Sequence, residues 1–111
     1  MKKEYRIKKN EEFQSIILKK QIVSNRCFVI YYRKNVTHLR VGISVSKKLG
    51  HAVVRNKIKR QVRMMVHDVF DEKQKMDLII IVKFGFLKNT YEENKKEIKY
   101  LYDKITRRMD K

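Results

Sequence analysis

The chain has 111 residues, with 29 Lys and Arg against 12 Asp and Glu, for a formal charge of +17. Its 42% hydrophobic content excludes a disordered polyelectrolyte, and its length suits a single domain, residues 1–111, with a modest core. One cysteine excludes an intrachain disulfide, and three scattered histidines exclude a four-ligand zinc site.

The N-terminus, Met1-Lys2-Lys3-Glu4-Tyr5-Arg6, leads into no apolar segment, so no signal peptide is read and a cytosolic protein is expected. Asn10 is placed to cap a short helix starting at Glu11-Glu12, whose carboxylates suit the positive helix end. Phe13, Ile16 and Ile17 share one face of that helix. Lys20 to Ser24 reads as a short strand and Arg26 to Arg33 as a stronger one, with Cys27 a small strand residue. Lys34-Asn35 begins a turn. From Leu39 to Ser46, Val41, Ile43 and Val45 alternate with Gly42, Ser44 and Ser46, which predicts a strand with an apolar face and a small polar one.

Lys47 to His51 is a loop containing Gly50. From about Ala52 to Phe70, Val54, Ile58, Val62, Met65 and Val69 recur every three or four residues and predict an amphipathic helix. Asp77 to Phe84 is a nearly continuous apolar strand, suited to the inside of a sheet. Its strongest run, Leu78 to Val82, is far too short to span a membrane. Thr90 and Glu93 have capping-box spacing ahead of a last helix with Ile98, Leu101, Tyr102, Ile105 and Met109 on one side. The order helix, strands, helix, strand, helix implies one sheet backed by helices.

No Asp or Glu occurs between Phe13 and His67, where 13 of the 29 Lys and Arg lie. Such a field favours a polyanion, nucleic acid before an anionic membrane. On the second predicted helix Arg55, Lys59 and Arg63 stand four apart, as do Asn56 and Arg60, and Lys57 extends the same side. A merely solubilising face mixes signs to avoid like-charge repulsion, so this one is read as a phosphate-binding face. Asn56 can donate and accept, which suits a ribose or base edge.

A basic helix in a strand-rich domain fits RNA better than the helical bundles that read DNA, so no DNA partner is expected. Phe13, Phe28, Tyr31 and Tyr32 are candidates to stack on unpaired bases. Alternation puts Phe28 and Tyr32 on one face and Tyr31 on the other, and only one face can belong to the main core. Asp68, Asp71, Glu72 and Asp77 are read as solvated acids of helix ends and loops rather than metal ligands. His51, with no carboxylate beside it in sequence, is read as a loop or phosphate contact rather than a general base.

The stretch Arg40 to Arg63 contains Val-Ser-Lys-Lys-x-Gly-x-Ala-Val followed by Arg-Asn-x-x-Lys-Arg-x-x-Arg. It closely resembles the protein subunit of bacterial ribonuclease P. The resemblance continues upstream through Lys8 to Gln14 and downstream through Asp77 to Val82 and Thr90 to Glu93, with weaker matching after Lys99. It implies a two-layer α/β sandwich, like the second domain of a small-subunit ribosomal protein, with a left-handed βαβ crossover where the general rule gives a right-handed one. It also implies a ribonucleoprotein that removes the 5′ leader of precursor tRNA, in which the RNA subunit holds the catalytic centre and the Mg2+, and this chain holds no cofactor and no catalytic residue.

By the same resemblance, Arg55, Asn56, Lys57, Lys59, Arg60 and Arg63 face the ribonuclease P RNA. Phe13 and Tyr31 match leader-side aromatics in a cleft between the first helix and the sheet, and Lys47 and Lys48 match basic positions near it. One family aromatic appears here as Ile17. Two other classes share the charge: a structural RNA-binding protein such as a ribosomal component, and a protein-only nuclease. The second needs clustered carboxylates to hold two metal ions, and the acid-free half lacks them.

Overall fold

β-Branched and aromatic residues fit a pleated, half-buried surface, and here they build one sheet. The computed structural model describes residues 2–109. Its strands are β1 (Ile22–Ser24), β2 (Phe28–Lys34), β3 (Arg40–Val45) and β4 (Met76–Val82), and its helices are α1 (Asn10–Leu18), α2 (Ala52–Val69) and α3 (Tyr91–Met109). The strand order is β1-β2-β4-β3, with β4 antiparallel to β2 and parallel to β3. The apolar run of β4 is therefore interior, as its composition predicts, and β3-α2-β4 is a βαβ unit between neighbouring parallel strands.

The sheet's two faces are unequal. Phe28, Ile30 and Tyr32 of β2, Val41 and Val45 of β3, and Leu78, Ile80 and Val82 of β4 join residues of α2 and α3 in the main core. This is the expected sandwich of sheet and helices. The opposite face, under α1, has a smaller apolar cluster of Ile7, Ile16 and Ile79, with Phe13, Tyr31 and Ile81 packed against them. Each buried side chain of this size contributes about 1.5–3 kcal/mol, so the main core carries the fold and the α1 layer adds little apolar stabilisation.

Several boundaries differ from the sequence reading. Asn10 is the first residue of α1 rather than its cap, which is Lys9 and makes no side-chain bond. β1 starts at Ile22, because Lys20 adopts a left-handed φ of 58° as the chain leaves α1. β2 starts at Phe28, because the Asn25 side-chain oxygen accepts from the backbone N–H groups of Cys27 and Phe28, both at 2.9 Å, and folds residues 25–28 into a turn. Cys27 is thus a buried turn residue, and burial pushes its thiol pKa up.

On α2 the buried residues are Ile58, Val62, Met65 and Val66, whereas Val54 is 41% exposed. Val54 lies over Gly50, where φ is 150° and an added Cβ would sit 2.8 Å from Val54 Cγ1, so only glycine fits this turn into the helix. The predicted capping box is present. Thr90 N–H donates to Glu93 at 2.8 Å, and Glu93 N–H donates to Thr90 Oγ1 at 3.2 Å.

Candidate nucleic-acid interface

With its apolar stripe buried, α2 turns Asn56, Lys57 and Arg60 fully outward, while Arg55, Lys59 and Arg63 form a half-buried row beside them. Among the described residues no carboxylate forms an ion pair with any of these cations. The Arg55 Nε is buried without a hydrogen-bond partner. A buried donor left unpaired is costly, and an acceptor arriving from outside removes that cost.

The strand registers set out the other face as rows. The row nearest the α1 start is Arg33–Asp77–Arg40. Asp77 is 1% exposed and accepts from Arg33 Nε at 2.9 Å, Arg40 Nε at 3.0 Å and Asn35 Nδ2 at 2.8 Å. It is a buried structural acid, not the solvated loop acid read from sequence. Burial works to raise its pKa, but the hydrogen bonds from Arg40, Asn35 and Arg33 outweigh that and hold it below the usual carboxylate range. The same two arginines reach α1, Arg33 through Ser15 Oγ at 2.7 Å and Arg40 through Glu12. A polar bolt therefore fixes α1 on the sheet.

The next row is Tyr31–Ile79–Gly42, with Phe13 of α1 lying over Gly42. An added Cβ at Gly42 would meet Phe13 Cζ at 2.6 Å and Ile79 Cδ1 at 3.0 Å. Gly42→Ala is accordingly expected to push Phe13 aside and to cost roughly 1–3 kcal/mol. Urea unfolding checks this, and an unshifted midpoint would show that the ring does not rest there. The third row, Val29–Ile81–Ser44, is half-exposed and extends the same face beyond Phe13.

Phe13 and Tyr31 thus come together in one cluster, each half-exposed, and Ile17 is half-exposed on the same helix. Lys47 and Lys48 are exposed in a short 3-10 turn just past the end of β3, on the side of the third row. Phe28 and Tyr32 are buried in the main core, which removes them as stacking candidates. His51 is exposed at the start of α2 and caps nothing with its side chain.

The cationic face of α2 and the Phe13 ring meet at the edge of the sheet. A cavity of about 210 Å³ at the β3 edge is lined by Arg6, Ile7, Lys8, Phe13, Val41, Ile43, Lys59 and Arg63. Four cations and an aromatic ring share it, with no carboxylate in the lining. Burial lowers the Arg63 pKa, with the charge of Arg6 adding to the effect, and the Arg6 Nε is buried without a partner. Sequence reasoning missed Arg6 and Lys8. They reach the site because Ile7 N–H donates to the Val41 carbonyl at 3.0 Å and Arg6 bridges to Val41, a non-local pairing with no signal in the local pattern.

Among the described residues no three His, Cys, Asp or Glu side chains gather to hold a metal ion, and no helix is long and apolar enough to cross a membrane. A family model described as Ribonuclease P matches residues 1–106. The chain is 48% identical to a ribonuclease P protein component of Mesoplasma florum, over 91% of this chain and 94% of that protein. It is 46% identical to that of Bacillus pumilus, over 94% and 90%. The structure of the Staphylococcus aureus RNase P protein superposes with a TM-score of 0.81 at 41% identity, covering 92% of this chain and 94% of that one. The Thermotoga maritima RNase P protein superposes at 0.79 with 26% identity, over 89% and 96%.

Proposed function

Because the chain belongs to the ribonuclease P protein family, we propose that its two surfaces divide the work of a protein subunit between two RNAs. The outward row of α2, Asn56, Lys57 and Arg60, together with Arg55, grips the catalytic ribonuclease P RNA. The cleft of Phe13, Ile17 and Tyr31, with Lys47 and Lys48 at its far end, holds the single-stranded 5′ leader of precursor tRNA. Lys59 and Arg63, with Arg6 and Lys8, stand at the junction and touch both. The observation that carries this reading is the continuity of an acid-free cationic helix face with an aromatic cleft through one shared cavity.

The chain then supplies affinity and charge screening to an endonucleolytic reaction whose chemistry belongs to the RNA. The Mg2+ is assigned to that RNA, in keeping with the finding that among the described residues no three His, Cys, Asp or Glu side chains gather to hold an ion. A cytoplasmic site of action fits these partners. Leader removal from a precursor tRNA at near-physiological salt and low Mg2+ tests the proposal with protein alone, ribonuclease P RNA alone, and both. Strong cleavage is expected only in the mixture. Binding without stimulation would favour the structural RNA-binding class.

The cleft carries its own prediction. Phe13→Ala or Tyr31→Ala is expected to weaken precursor binding by roughly 1–3 kcal/mol, the value of one base stacked on an aromatic ring, while mature tRNA binding barely changes. Because Phe13 also packs against Ile16 and Ile79, Phe13→Leu serves as a folded companion variant. Equal losses for precursor and mature tRNA would refute the assignment.

A further inference from the structure

We propose that the leader cleft has a second aromatic subsite at its far end, built on Phe84, which takes one nucleobase of single-stranded RNA. Phe84 lies in the short 3-10 segment Phe84–Lys88 after β4 and is 60% exposed. A single exposed apolar residue needs no explanation, and Leu18 or Val36 are of that kind. The surroundings of Phe84 set it apart.

A groove of about 710 Å³ beside it is lined by Arg26, Lys83, Lys88 and Lys96, against two acids, Glu93 and Glu97. Glu93 is already committed to the Thr90 N–H in the capping box. The balance of the groove is cationic. Lys88 Nζ stands 5.8 Å from the centre of the Phe84 ring, and Lys83 Nζ donates to the Asn25 carbonyl at 2.9 Å across the groove mouth. Flat apolar ring, ammonium groups and open access are what sequence-tolerant stacking of an unpaired base requires.

The backbone that carries the ring is also held in place. An added Cβ at Gly85 would come within 2.4 Å of the Arg26 carbonyl oxygen, so the backbone of the 3-10 segment is packed directly on the turn before β2. The Lys83 N–H donates to the Cys27 carbonyl at 2.8 Å and fixes the start of the segment. These two contacts fix where the ring is presented.

Strand register connects this site to the cleft. Ile79 lies in the Phe13 row and Ile81 in the half-exposed row beyond it, and Lys83 follows one residue past the end of the register at Val82, tied back by its N–H to the Cys27 carbonyl. Four residues at ~3.3 Å each place Lys83 about 13 Å from the Phe13 row along the sheet. Lys47 and Lys48 flank this end, since Val45 pairs with Val82. A strand entering at Phe13 and crossing Ile81 meets the lysines at the end of the sheet and turns over that end, towards α3, to reach Phe84 and its groove. The inference rests on the leader-binding reading of the cleft.

The test uses holoenzyme reconstituted with ribonuclease P RNA and precursors whose leaders are lengthened one nucleotide at a time. Phe84→Ala and Phe84→Leu are expected to lose about five- to hundredfold in affinity, but only once the leader is long enough to reach the far end, whereas Phe84→Tyr keeps the affinity. The chain has no tryptophan, so Phe84→Trp gives a single tryptophan that can be excited apart from the tyrosines, and its quenching by long-leader but not short-leader precursor is expected. A Phe84→Ala profile matching the unaltered protein at every length, with Phe13→Ala still impaired, overturns the subsite and leaves the cleft intact. A loss that is the same for mature tRNA overturns it too. If Phe13→Ala and Phe84→Ala both keep the full preference for precursor, the cleft reading falls and the subsite with it.

Discussion

Replacing Arg55, Lys59, Arg60 and Arg63 together by Ala is expected to weaken assembly with the ribonuclease P RNA and to flatten its salt dependence by about 3 in the slope of log K against log salt. The number follows from roughly 0.7–0.9 counterions released per phosphate neutralised. Folding should survive, because none of the four belongs to the buried stripe of Ile58, Val62, Met65 and Val66. Relief of like-charge repulsion along the helix works in the same direction. Binding titrations across a salt series read the slope directly, and an unchanged slope would remove α2 from the RNA contact.

The structure also separates the two rows. Asn56, Lys57 and Arg60 changed together should impair assembly and leave the preference for precursor over mature tRNA untouched. Lys59 and Arg63, which line the shared cavity with Phe13, should alter both.

Asp77→Ala is expected to be the most destabilising single change to the α1 layer. Removing one partner of a buried ion pair leaves the other charge uncompensated, at about 3–5 kcal/mol. The lower end applies here, because Arg33 and Arg40 keep about a quarter of their side-chain surface in water. Since Asp77 titrates below the usual carboxylate range when folded, its contribution is fully present above the unfolded value near ~3.9 and is lost as pH falls through the lower folded value. The gap in unfolding free energy between unaltered protein and Asp77→Asn should therefore be flat from neutrality to mildly acidic pH and shrink only below about pH 4. A gap that instead closed around pH 6 would assign the effect to another group. Because Arg33 and Arg40 also anchor Ser15 and Glu12, the same variant should lose leader affinity through displaced Phe13.

Local pattern made α2, β4 and the capping box at Thr90 legible from sequence, because each depends on residues within a few positions of one another. The extent Ala52–Val69 follows from a stripe recurring over five turns, and the interior place of β4 from its unbroken apolar run. Where the reading failed, a distant or specific side chain decided the outcome. Asn25 folds the chain into a turn ahead of β2 and so takes Cys27 out of the strand. Asp77 becomes buried because pairing of β2 and β3 with β4 delivers an arginine to each side of it. Arg6 enters the interface through one bridge to an edge strand. The basic face of the site was written in helical spacing, whereas its junction with the cleft depends on tertiary contacts alone.

The sheet order β1-β2-β4-β3 has a consequence for how the chain reaches its native state. β1 and β2 are neighbours in sequence and can pair as soon as both exist, but among the described residues β3 pairs with no strand other than β4, apart from the single bridge to Arg6. During synthesis, β3 and the whole of α2 leave the ribosome before the strand that completes their surroundings. The nascent chain at that stage carries the long cationic segment without the acidic residues of β4 and α3, and it is surrounded by ribosomal RNA. Closure of the sheet must wait for long-range pairings, which are intrinsically slow to form. Residues 76–82 therefore set the time at which an RNA-seeking polypeptide becomes a shaped surface, and variants that slow β4 docking would act on yield and aggregation before they act on affinity.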